Sequence, residues 1–99
     1  MHIESRSERA RKRAIKWRLT QIIKVSRGCQ DCGYNQHGVA LQFDHLRDKK
    51  ANVSNMIRSD YSWEAIKLEI LKCEVVCANC HAVRTKTRKD GQDPYTPRS

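Results

Sequence analysis

Between Arg6 and Val25 the apolar residues Ile15, Leu19 and Ile22 recur at i, i+4 and i+7, with Ser26 at i+11 and Ile23 widening the stripe. That spacing predicts an amphipathic helix. Ser5-Arg6-Ser7-Glu8 marks its start as an S-x-x-E capping box, and Gly28 is a natural stop. Further on, residues 39–46 alternate as a strand does. Leu41, Phe43 and His45 share one face, Gln42 and Asp44 the other. Asp44 and His45 therefore point to opposite sides of the pleat unless the strand ends there. Residues 47–61 are polar and irregular and read as a surface loop, with Val53, Met56 and Ile57 giving it some packing. Ser62 is a good N-cap, with Glu64 in the first turn, for a helix ending near Lys72. Trp63, Ile66 and Ile70 share a face of that helix, and Leu71 extends it. Glu74-Val75-Val76 is a short strand candidate, and a last helix runs from about Asn79 or Cys80 to Arg88. From Asp90 onward Gly91, Pro94 and Pro97 break any pattern, which predicts a disordered tail. The expectation is an α+β chain: a basic helix over 1–28, one domain over 29–89 with an inserted helix, and a tail over 90–99.

Composition sharpens this picture. Ninety-nine residues, 38% of them hydrophobic, bury a limited core, so a structural metal is a reasonable supplement. The net charge of +9 marks a polyanion binder. Nucleic acid is the first reading, an anionic membrane surface the second, and a merely soluble cationic protein the third. The charge is clustered. Arg9, Arg11, Lys12, Arg13, Lys16 and Arg18 crowd the first helix, and Arg84, Lys86 and Arg88 lie on the last. Such runs are either solvated helix faces or phosphate contacts. No apolar run approaches the length of a membrane span, and Met1–Arg6 has no apolar signal region. The expected compartment is the reducing cytoplasm, where paired cysteines read as metal ligands rather than disulfides.

Cys29-Gln30-Asp31-Cys32 and Cys77-Ala78-Asn79-Cys80 are two CxxC turns. A two-residue spacer lets both thiolates of a turn reach one ion, and two turns complete a tetrahedron. The expected cofactor is structural zinc on Cys29, Cys32, Cys77 and Cys80, clamping the two ends of a subdomain. The alternative, a redox CxxC, lacks a thioredoxin-like strand–helix context. Cys73 is left over.

His81 follows the second turn directly. Asp44 offers an oxygen ligand and His81 a nitrogen ligand, so the two could hold one divalent ion with open positions for phosphate and water. His45 is an imidazole that could take a proton from water. Equally, Asp44 could end the strand while His45 packs and His81 caps. His37, in a loop, reads as a bystander.

Phe43-Asp44-His45 followed by Cys77-Ala78-Asn79-Cys80-His81 resembles the HNH endonucleases, a branch of the ββα-metal (His-Me finger) nucleases. The likeness is greatest to small zinc-containing bacteriophage members and covers Cys29 to Arg88. It implies a zinc-stapled ββα-metal domain in which Asp44 and His81 bind magnesium, manganese or a similar ion and His45 is the general base. The family's middle Asn falls at Lys72 here. Asn79 is the first choice for that role and Asn55 the second. Thr85 stands where some relatives carry a further His. The implied activity is metal-dependent cleavage or nicking of double-stranded DNA, with phage DNA-packaging proteins as partners by family analogy. The competing reading is a non-catalytic zinc-stabilised DNA-binding module. An RNA-directed role is a third, disfavoured by the scatter of Tyr34, Phe43 and Tyr61.

Overall fold

The computed structural model describes residues 5–90. The chain runs α1 (Arg6–Arg27), a 3-10 turn (Gly38–Ala40), β1 (Leu41–His45), α2 (Val53–Arg58), α3 (Trp63–Ile70), β2 (Cys73–Cys77) and α4 (Ala78–Asp90). This is an α+β arrangement around one two-stranded antiparallel sheet, with Leu41 opposite Cys77 and His45 opposite Cys73. β2 passes directly into α4, which packs back on both strands. The excursion between the strands is closed at its neck by Leu46 N–H donating to Lys72 O at 2.9 Å. The tail expected to be disordered lies, beyond Asp90, outside the described residues.

Ser5 caps α1, its Oγ accepting from Glu8 N–H at 3.2 Å. Gly28 ends the helix with φ at +70°, a left-handed conformation that a side chain would strain. The buried face differs from the expected stripe. Thr20 and Lys24 are buried, whereas Ile15 and Ile22 remain 51% and 58% exposed. Polar contacts set the rotation. Arg13 Nη1 pairs with Asp60 Oδ1 at 3.1 Å, and Lys16 Nζ donates to Tyr61 O at 2.7 Å. The 3-10 turn also presses on this side: a Cβ on Gly38 would lie 3.3 Å from Gln21 Cα.

Two small cores result. Val53, Met56, Ile57, Ile66 and Ile70 pack together between α2 and α3, with Ile23, Phe43 and Trp63 at their edge. Cys29, Leu41, Val75 and Val76 form the second, with Tyr34, Cys77 and Cys80. Phe43 touches both. The stretch 47–61 therefore corrects the loop expectation. Val53, Met56 and Ile57 are an i, i+3, i+4 set on a six-residue helix, too short to show a period in a longer window. Leu71, expected to extend the face of α3, is 65% exposed because the helix ends at Ile70. No helix among the described residues is long and apolar enough to cross a membrane.

Candidate metal centres

The first CxxC turn is built by backbone hydrogen bonds. Cys29 N–H donates to Tyr34 O, Gly33 N–H to Cys29 O, and Gln30 N–H to Val75 O, each at 2.8 Å. The last of these docks the turn on β2. Cys77 ends that strand, and Cys80 lies in the first turn of α4, its N–H directed at Cys77 Sγ at 3.4 Å. All four sulfurs lie within 4.8 Å of one another, and Cys32 and Cys77 are 3.7 Å apart. Tetrahedral zinc with Zn–S bonds of about 2.3 Å separates its sulfurs by about 3.8 Å. The donor set fits zinc.

The electrostatics of Cys29 and Cys80 also suit a cation. Burial opposes ionisation of Cys29, but the backbone N–H groups of Cys77, Cys32 and Asp31 outweigh it and lower the thiol to about 6. Cys80 is pushed up to about 12, first by its hydrogen bond with Cys77 and then by burial. One thiolate is tolerated and the next is repelled. A divalent ion removes that conflict. Cys73 is separate. It is buried, its Sγ donates to Glu69 O at 3.4 Å, and burial raises it to about 11.

Asp44 and His81 meet at a second corner, where β1 faces α4. Asp44 is buried and His81 reaches the surface. His81 Nδ1 donates to the side-chain oxygen of Gln42, which points to the same face as Asp44. With its proton on Nδ1, a neutral imidazole keeps the lone pair on Nε2. That Nε2 lies 3.5 Å from Asp44 Oδ1. This is beyond a hydrogen bond but close to the separation of two ligands on one ion, about 3.0–3.4 Å. The pair could offer two ligands to a small divalent cation. It also has internal competition. Arg88 grips Asp44 through two hydrogen bonds of 2.7 Å, and Arg84 Nη1 adds a third of 2.7 Å. Arg88 first, and Arg84 against the effect of burial, hold the Asp44 carboxyl down to about 2.

His45 lies on the other face. β1 runs through it, so the pleat keeps its ring away from Asp44. Its Nε2 donates to Glu69 Oε2 at 2.9 Å, with side chains 9% and 2% exposed. Glu69 also accepts from Lys50 N–H at 2.9 Å and from Lys72 Nζ at 3.0 Å. Burial opposes its ionisation, but these donors prevail and hold it at about 2. Lys72 Nζ donates to Asp48 O at 2.9 Å as well. Glu69 and Lys72 together fasten the chain that leaves β1. Sequence reasoning passed over Glu69 and noted Lys72 only as the position of the family's middle Asn. A carboxylate flanking Ile66 and Ile70 on the apolar side of α3 was the available signal. Asn79 is exposed on the first turn of α4 beside the thiols, away from the His45 hub, and Asn55 Oδ1 accepts from Arg58 Nη1 at 3.5 Å.

The basic residues divide. Arg9, Arg11 and Lys12 are exposed along α1, and Lys86 is exposed on α4. Arg13 and Lys16 instead fasten α1 to the turn before α3. Arg84, expected to be exposed, is 17% exposed and shared among Asp31, Asp44 and Glu74. Three carboxylates gather around it because β1, β2 and the first CxxC turn all converge on α4. Comparisons with protein-family profiles, curated proteins and solved structures return no significant match.

Proposed function

We propose that this chain is a small nuclease of the ββα-metal, HNH-like type, hydrolysing phosphodiester bonds of double-stranded DNA with a divalent ion such as magnesium or manganese. Structural zinc on the four thiolates holds together the ends of the β1–β2–α4 unit in this reading. The observation that carries it is the Asp44–His81 pair: two lone-pair donors, one from a strand and one from a helix, facing each other at 3.5 Å with the imidazole oriented by Gln42. An ion held there would stabilise negative charge on phosphate oxygens. The exposed arginines and lysine of α1 supply sequence-independent phosphate contacts.

His45 enters as the base through Nδ1, since Glu69 takes Nε2. The pleat sets a condition: the substrate must wrap the end of β1 for that nitrogen to reach it. A second reading, a zinc-stabilised DNA-binding module, is favoured by the guanidinium pairs. Asp44 already has counter-charges, so the corner can stand as an ion-pair network alone. The test is nicking of supercoiled plasmid by zinc-loaded protein with added manganese. The parent should nick, and His81→Ala should not. His45→Ala should fall by about 10²–10⁴ while retaining zinc. A parent that never nicks overturns the nuclease reading. A His45→Ala variant that nicks like the parent removes only the base.

A further inference from the structure

Lys24 is the one buried cation among the described residues whose charge meets no carboxylate. It is 9% exposed. The buried acids, Asp44 and Glu69, both have cationic partners. Among the described residues the Lys24 ammonium faces two rings, Trp17 at 5.5 Å and Phe43 at 5.2 Å from their centroids. Cation–π contact returns less than an ammonium loses on burial. Burial accordingly lowers its pKa. A buried charge left in deficit points to an anion that comes from outside.

The space for one is present. Lys24 lines a cleft of about 400 Å³ between α1, β1 and α2, a volume in the range of small-ligand sites. Trp17, 45% exposed, forms part of one wall, and Asn52 and Arg58 add polar groups. His81 and Gln42 line it too, so the cleft adjoins the Asp44–His81 corner.

We propose that this cleft binds one nucleotide of a nucleic-acid strand, its phosphate neutralising Lys24 and Arg58 and its base lying against the Trp17 indole. The proposal goes beyond the nuclease reading and holds whether or not the corner cleaves. Stacking on an aromatic ring tolerates any base, so the site would grip a strand without selecting sequence.

The test uses the full zinc-loaded chain carrying Trp63→Phe, which leaves Trp17 as the only tryptophan. No divalent ion is added, so the result is independent of cleavage. A deoxynucleoside 5′-monophosphate should change Trp17 fluorescence saturably. The matching nucleoside, lacking phosphate, should bind about 10- to 100-fold more weakly, the range for a charge-assisted hydrogen bond. Inorganic phosphate should compete with the mononucleotide. Lys24→Met should lose the same 10- to 100-fold, while its resistance to urea stays level or rises because a buried charge has gone. If Lys24→Met binds the mononucleotide like the parent, or the nucleoside binds equally well, the proposal fails. It also fails if the mononucleotide gives no saturable change, in which case Lys24 is a packed stem over two rings.

Discussion

The thiol cluster and the Asp44–His81 corner both draw on the first turn of α4, yet they treat a cation differently. At the cluster four donors converge, and their mutual repulsion favours an ion. At the corner two donors face each other while two guanidiniums already hold one of them. The first site is unsatisfied without metal and is closed once filled. The second is satisfied without metal, so an ion there must compete. On the proposed reading, that is the difference between a metal that folds a chain and a metal that comes and goes with substrate.

The comparison predicts its own hierarchy of damage. Cys77→Ser should release zinc and abolish cooperative unfolding, because zinc binding contributes on the order of 10 kcal/mol to such small domains. Cys73→Ser should keep its zinc, as its sulfur lies outside the cluster. Zinc content by metal analysis, with far-ultraviolet circular dichroism on the same samples, reads both. Equal zinc loss in the two variants would erase the distinction between the cluster and its neighbour.

The corner should respond less. Arg84→Gln removes the counter-charge shared by Asp31, Asp44 and Glu74 and should cost about 3 kcal/mol in urea unfolding. Arg88 is 49% exposed, so Arg88→Gln should cost about 1 kcal/mol or less. Both should retain zinc. If Arg88→Gln proves the costlier, the corner is organised around its outer guanidinium rather than its inner one.

Part of this contrast is readable in the sequence. CxxC spacing is local geometry, so the four ligands stand out before any fold is known. The strand faces followed from alternation, which put Asp44 and His45 on opposite sides. His81, Arg84 and Arg88 fall at i, i+3 and i+7, one face of a helix, but nothing local says that this face meets Asp44 rather than solvent. The rotation of α1 was hidden for a similar reason. Arg13 and Lys16 look like free charges until Asp60 and Tyr61 are folded against them. The six residues of α2 carry too few apolar positions to reveal a helix. The Glu69 hub depends on pairing across the neck at Leu46 and Lys72, which only the closed sheet creates.

The smallest effect belongs to α1, and it separates charges that bind from charges that brace. Arg9→Gln with Arg11→Gln should flatten the salt dependence of DNA affinity, by about 0.9 for each phosphate no longer neutralised, with little change in stability. Arg13→Gln with Lys16→Gln should instead lower stability by about 1 kcal/mol, since these side chains tie α1 to the turn before α3. Affinity measured across a salt series, beside urea unfolding, gives both numbers. Identical behaviour of the two pairs would return the whole helix to a single solvated face.

The most direct measurement is manganese binding to zinc-loaded protein, followed by loss of the free-ion electron paramagnetic resonance signal. The parent should bind one manganese per chain beyond its zinc. Asp44→Asn and His81→Ala should abolish that binding, and Arg88→Gln should tighten it by removing the competing guanidinium. A parent that binds no manganese, or variants that bind it equally, would contradict the claim that Asp44 and His81 form a second, contested cation site.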